Sequence, residues 1–251
     1  MIISAQLYTV RRNLKSQEEI TRGITRIKND GYDGVQLSGF KYEVPFMVDL
    51  LSSLNLKAVA THNPLDRLLN ETDTVIKEHK ALGCKYVGLG CFNPASSEEA
   101  KKFLADVLPV TKKIKDAGLQ FVHHNHHYEF VRLDNGARFI DMALDSTKAE
   151  DYGFIVDTYW LQVAGISVDK FLVDNAQRIK VMHLKDLLIS PQDYTQRFAS
   201  VGSGNMDFAS ILKTASEIGV EHAVVEQDEC YGEDPYDCLL NSRKYIKKLG
   251  W

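Results

Sequence analysis

A helix-like segment, a glycine, then a short apolar run ending in polar residues recurs along this chain, as KNDGYDGVQL, KALGCKYVGL, KDAGLQFVHH and SEIGVEHAVVEQ. Glycine suits the left-handed backbone position that closes a helix, so each copy marks a turn from helix into strand. The runs after the glycine are rich in β-formers and too apolar for a sheet with one wet face. They fit strands buried on both faces, as in a parallel sheet.

Extended along the chain, this pattern predicts eight strands, at about 2–8, 33–38, 56–61, 84–90, 119–124, 152–157, 178–184 and 221–227. Between them, segments such as TRGITRIKND, SSEEAKKFLADVLPVTKKIKDAG and MDFASILKTASEIG carry the 3.6-residue period of helices. Strict alternation over 251 residues predicts an α/β chain folded as a single (β/α)8 TIM barrel, one domain over residues 1–251. An open doubly wound sheet would call for a glycine-rich nucleotide loop after the first strand, where this chain has LYTVRRNLKSQEE.

Bulk composition narrows the function. The net charge is −4, with both signs interspersed, so no concentrated basic face is expected and nucleic acid is not an expected partner. No stretch approaches the roughly 20 apolar residues of a membrane span, and the N-terminus reads as neither signal peptide nor anchor. Cys84, Cys91, Cys230 and Cys238 form no CxxC pair and read as reduced thiols, placing the protein in the cytoplasm.

In such a barrel the site lies at the C-terminal strand ends. Three successive ends offer Asp157, His183 and Glu226, and carboxylates with imidazoles suit one divalent ion such as Mn²⁺, Mg²⁺, Co²⁺ or Zn²⁺. The competing reading is a hydrogen-bonded polar plug. A fourth ligand comes from the run HHNHHYE, with Glu129, His124 and His126 as candidates. Strand alternation turns His124 and His126 one way and Asn125 the other, leaving His123 and His127 as packing or outer residues. His79 and His222 fall away from strand ends and read as surface or packing residues.

A divalent ion beside a vicinal hydroxy-ketone polarises the carbonyl and favours a metal-stabilised enediolate. Reprotonation then gives epimerisation or isomerisation, and loss of a β-leaving group gives elimination. His124, His126 and Glu226 are the candidate bases, and Lys185 is a candidate acid unless it merely pairs with Asp186. Tyr8, Arg11, His62 and Gln227 are candidate contacts to substrate hydroxyls, and Trp160 is a candidate wall; Arg11 reads equally as a solvated loop charge and Trp160 as packing. The stretch Gly202–Asp207 offers either an anion site or a plain turn with Asn205 as helix N-cap.

The pieces QLYTVR, HHNHHYEF, VDTYWLQVAG, RIKVMHLKD, VGSGNMDF and VVEQDE, in this order, resemble the sugar phosphate isomerase/epimerase-like family of xylose isomerase-like TIM barrels. The resemblance implies a divalent-metal-dependent isomerase or epimerase of a small sugar, keto-sugar or polyol in carbohydrate metabolism, with Asp157, His183 and Glu226 as ligands. In the ketose epimerases of that family the strand-five ligand is a glutamate that also transfers protons; here that place falls on His124. The HNHxxEF form resembles a branch of inosose-dehydratase-like and keto-sugar-processing proteins, which implies a metal role for Glu129. Alternative readings are a metal-dependent lyase or dehydratase of a keto-polyol or keto-glycoside, and a non-catalytic sugar-binding subunit. An apurinic-site endonuclease shares the barrel, but the negative charge argues against it. A homo-oligomer or a second subunit is compatible with all of these.

Overall fold

The computed structural model describes residues 1–251. Eight parallel strands close into a barrel: β1 (Ile2–Gln6), β2 (Gly34–Leu37), β3 (Lys57–Thr61), β4 (Tyr86–Leu89), β5 (Gln120–His124), β6 (Gly153–Asp157), β7 (Ile179–Leu184) and β10 (His222–Val225). Each falls inside the window expected for it, and β1 closes the ring by pairing with both β2 and β10. The helices that pack outside include α1 (Gln17–Asn29), α2 (Val44–Ser53), α3 (Leu65–Asn70), α4 (Thr72–Ala81), α5 (Ser97–Asp116) and α6 (Phe139–Ser146). After β6 and β7 come α7 (Thr158–Val163), α8 (Val168–Asp174), α9 (Phe208–Glu217) and, last, α10 (Pro235–Lys248).

Local chemistry sets these boundaries. Ser16 and Ser96 accept the N–H groups of Glu19 and Glu99, and those glutamates reach back to the N–H groups of Lys15 and Ala95, so α1 and α5 each begin in a reciprocal cap. The recurring glycine ends helices as expected: Gly118 at φ 81° and Gly219 at φ 79° follow α5 and α9.

One element was not anticipated. An antiparallel hairpin, β8 (Asp186–Ile189) with β9 (Gln196–Ala199), stands between β7 and α9 at the mouth end.

Most of the core lies between the strands and the helices that surround them. A second, smaller cluster fills the barrel itself: Val59, Ala60, Tyr86, Val122, Ile155, Val181 and Val224. Side chains alternate along a strand, so the residue two positions beyond each of these points the same way, one layer higher. From Val122, Ile155, Val181 and Val224 that step reaches His124, Asp157, His183 and Glu226. The apolar floor therefore sets the phase of the polar layer above it.

His79 and His222 stay outside that layer, as expected. His79 is buried in packing, bonded to Thr61 Oγ1 and the Val75 carbonyl (both 2.7 Å), and His222 lies at the opposite end, against Tyr86.

Close packing between β3 and β4 leaves no room at Gly88, where an added Cβ would collide with the Thr61 carbonyl oxygen. Gly88→Ala is expected to destabilise the fold by about 1–3 kcal/mol, read as a lower urea midpoint at unchanged slope.

Candidate metal centre

His124, Asp157, His183 and Glu226 each offer one ligand atom, and these atoms all lie within 4.8 Å of one another. All four are buried. His124 Nε2 is 3.2 Å from Asp157 Oδ2; His183 Nδ1 is 3.7 Å from the same oxygen and 2.8 Å from Glu226 Oε2. β6 and β7 are in register at Asp157 and His183, which sets those two side by side.

The far side of each imidazole is already engaged. His124 Nδ1 lies 3.1 Å from the Gly90 carbonyl oxygen, which can only accept, so the ring proton sits there and Nε2 presents a lone pair to Asp157. His183 Nε2 lies 2.9 Å from Gln36 Oε1 on β2, leaving Nδ1 toward the carboxylates. A ring donating outward to a carbonyl and facing carboxylates inward is the arrangement that orients histidine on a metal. His183 Nδ1 and Glu226 Oε2 are buried, and neither makes an aligned hydrogen bond although they stand 2.8 Å apart. An unpartnered ring nitrogen beside a buried carboxylate oxygen, in a cluster of two imidazoles and two carboxylates, is a donor set that fits a divalent ion.

Lys185 supplies a resident positive charge. Its Nζ is 3.0 Å from Asp157 Oδ2, 2.9 Å from Glu226 Oε2 and 3.1 Å from both Asp228 carboxylate oxygens. It does not pair with Asp186, which turns the other way. Burial opposes ionisation of Asp157 and Glu226, but the Lys185 ammonium outweighs it and holds both carboxyls well below the usual range. Asp228 fares differently: burial, together with the Glu226 and Asp157 charges, raises its pKa to about 7 even against Lys185. One ammonium cannot satisfy three carboxylates equally, and the outermost holds its proton longest.

The remaining expected residues divide. An open cleft of about 620 Å³ above the cluster is lined by Tyr8, His62, His126, Lys185, Glu226 and Asp228, among others. Trp160 stands beside it, its ring 5.5 Å from that of His126. Glu129 is not in the cluster. Its turn folds back behind β5, seating one carboxylate oxygen 3.2 Å from His123 Nε2 and the other on the His126 N–H at 2.8 Å. The fourth member of the cluster is His124, which has the inward phase. His123 packs among Phe103, Phe139 and Tyr152, and exposed His127 packs on Trp160.

Arg11 and Gln227 are also used internally. The Arg11 guanidinium donates to the Tyr8 and Asp228 carbonyls and to Glu229, while the Gln227 amide binds Ser200 and the Glu229 carbonyl. Two residues that sequence reasoning left without a role do contribute. Gln36 orients His183, and Asp228 shares Lys185; both stood at strand ends as polar residues closing apolar runs.

The chain matches the family model described as xylose isomerase-like TIM barrel over residues 24–248. Comparison with curated proteins gives no match. Among solved structures, a sugar phosphate isomerase/epimerase from Parabacteroides distasonis ATCC 8503 superposes with a TM-score of 0.81 at 21% identity, over 98% of this chain and 97% of that one. An L-ribulose 3-epimerase gives 0.77 at 16% identity, over 99% and 94%. A structure described as IOLI protein with a binding zinc atom gives 0.74 at 13% identity, over 99% and 98%.

Burial also makes the fold acid-sensitive. His62, His79, His124, His126 and His222 all have pKa values lowered chiefly by burial, that of His126 to about 2 and that of His222 to about 4, whereas His183 is raised because Glu226 and Asp157 outweigh its burial. Below about pH 6.5 the unfolded chain therefore takes up protons at five histidines that the folded chain refuses, while His183 and Asp228, both raised, act in the opposite sense. The urea midpoint is expected to fall between pH 7.5 and pH 5; a midpoint that rises on acidification would contradict this account.

Proposed function

Because the chain belongs to the xylose isomerase-like TIM barrel family, we propose that it is a divalent-metal-dependent isomerase or epimerase of a small keto-sugar or polyol. In this reading His124, Asp157, His183 and Glu226 hold the ion. The observation that carries it is the pair of imidazoles whose outer nitrogens rest on the Gly90 carbonyl and Gln36 while their inner nitrogens face buried carboxylates. Two nitrogens and two carboxylates suit Mn²⁺, Co²⁺ or Zn²⁺. A bound ion would polarise a ketone oxygen and acidify the neighbouring C–H.

The chain's own residues then have distinct tasks. Lys185 keeps Asp157 and Glu226 ionised and leaves Asp228 with a pKa near neutrality, the condition for a carboxyl that accepts and returns a proton. Both Asp228 oxygens contact Lys185 Nζ, so the ammonium fixes the carboxyl at the cleft. His62, His126 and Tyr8 line the space where substrate hydroxyls would sit, and Trp160 stands beside it as an apolar wall. The four free cysteines fit the reducing cytoplasm.

Metal content per chain, measured by mass spectrometry, should be stoichiometric in the native protein. It should be lost in His124→Ala and Glu226→Ala but kept in Glu129→Gln; loss in Glu129→Gln with retention in His124→Ala would overturn the ligand set. Gln36→Leu should weaken metal affinity about 10–100-fold. Turnover can be followed as exchange of carbon-bound protons for solvent deuterium across a panel of ketoses. Chelation should abolish it, and Asp228→Asn should lower it about 100-fold or more with the metal retained.

A further inference from the structure

The cleft above the cluster continues into a second hollow. Ser38, on the loop after β2, and His62, Asn63 and Pro64, after β3, line the cleft and also line an adjoining space of about 550 Å³. That space runs out between the loop after β2 and the start of α1. His62 stands at the join: its ring stacks on that of His124 at 4.8 Å, and its Nδ1 lies 3.4 Å from Ser38 Oγ. A ligand lying over His124 therefore reaches the second hollow past one imidazole and one hydroxyl. The turn after the β8–β9 hairpin offers no such space. Asp186 takes up the N–H groups of Gly202, Gly204 and Met206 there, and Asp207, not Asn205, accepts the Ser210 N–H as the cap of α9.

The second hollow has its own chemistry. Phe40, Tyr42 and Phe46 are half-buried along it, with the rings of Phe40 and Tyr42 5.3 Å apart. At its rim Gln17, Lys41 and Glu43 are exposed. The half-buried cation, Arg67, is already held by Asn63 Oδ1 at 3.2 Å and by Glu78, so it demands no anionic ligand. An aromatic wall beside a polar rim suits a ring with C–H groups on its face and hydroxyls on its edge, which describes a sugar. A purely aromatic ring would gain less, because the rim groups would lose water with no hydroxyl to replace it.

We infer that the second hollow is a sugar subsite and that the substrate is a disaccharide, its ketose unit over the cluster and its second ring against Phe40, Tyr42 and Phe46. This rests on the proposed reading of the cluster as a keto-sugar site and enlarges the sugar that the site takes. Size is part of the argument: spaces of about 300–1,000 Å³ hold drug-sized ligands, and a single sugar ring cannot occupy both hollows. Contacts to the second ring lie away from the reacting carbon and supply binding energy that a lone ketose cannot draw on.

The test is calorimetric binding to the Mn²⁺-loaded native chain of D-fructose beside three disaccharides that end in it: lactulose, maltulose and isomaltulose. Turnover of each is followed by deuterium exchange. At least one disaccharide should bind tenfold or more tighter than D-fructose. In Phe40→Ala and in Phe46→Ala that ratio should fall about tenfold, and Phe40→Tyr should preserve it. Phe40→Leu or Phe46→Leu replaces an alanine variant that fails to fold. D-fructose bound as tightly as every disaccharide, or a ratio unmoved by both substitutions, would overturn the inference while leaving the metal-dependent reading intact. Tight disaccharide binding that depends on Phe40, without turnover, would support the subsite and overturn the isomerase reading. Failure of every compound to bind would overturn both.

Discussion

Everything at the barrel mouth depends on one ammonium shared by three carboxylates. Lys185 Nζ touches Asp157, Glu226 and Asp228 within about the length of a hydrogen bond, and all but Asp228 are almost wholly removed from water. Taking such charges out of water costs several kcal/mol each, and mutual attraction repays it only where the geometry is held rigidly. The barrel supplies that rigidity. β6, β7 and β10 are hydrogen-bonded neighbours, so the donors sit on adjacent strand ends above an apolar floor of Ile155, Val181 and Val224. An arrangement with one positive charge and three negative ones is still short of cations. That deficit is the physical reason the cluster of His124, Asp157, His183 and Glu226 suits a divalent ion.

The same period-two logic explains what could be read from sequence and what could not. All eight barrel strands were legible because each is a short apolar run set off by turn residues, and Asp157, His183 and Glu226 were legible because they end such runs. Glu129 lies outside the cluster although its chemistry suits a metal: a carboxylate five residues past an inward histidine reaches the others only if the chain doubles back toward the axis. It doubles back the other way, and the carboxylate anchors His123 and the His126 N–H. The internal partners of Arg11 and Gln227 were not legible for a related reason. Their side chains have the chemistry to bind hydroxyls, but which partner each takes is decided by loops meeting in space, Arg11 with Glu229 across the ring closure between β1 and β10. Periodicity carries no information about such pairings. The hairpin β8–β9 escaped notice because its strands are only four residues each and one of them, QRFA, is largely polar.

The segment His183-Leu184-Lys185-Asp186 shows how one strand end divides its labour. Alternation sends His183 and Lys185 into the mouth and turns Asp186 outward, where it gathers the N–H groups of the 202–206 loop. Leu187 and Ile189 then bond to Asn205 from the hairpin side, so loop and hairpin become one unit. That unit carries Phe198, whose ring lies 4.4 Å from Tyr159 and 5.6 Å from Lys185 Nζ. A carboxylate facing away from the site thereby fixes the wall beside the ammonium that faces into it. Removing Asp186 would release four amide groups and loosen that wall together, whereas removing Lys185 would leave the wall and unbalance the charges. The two adjacent residues are thus separable in effect: one braces the loop and hairpin that carry the wall, the other governs the protonation of the carboxylates at the cleft.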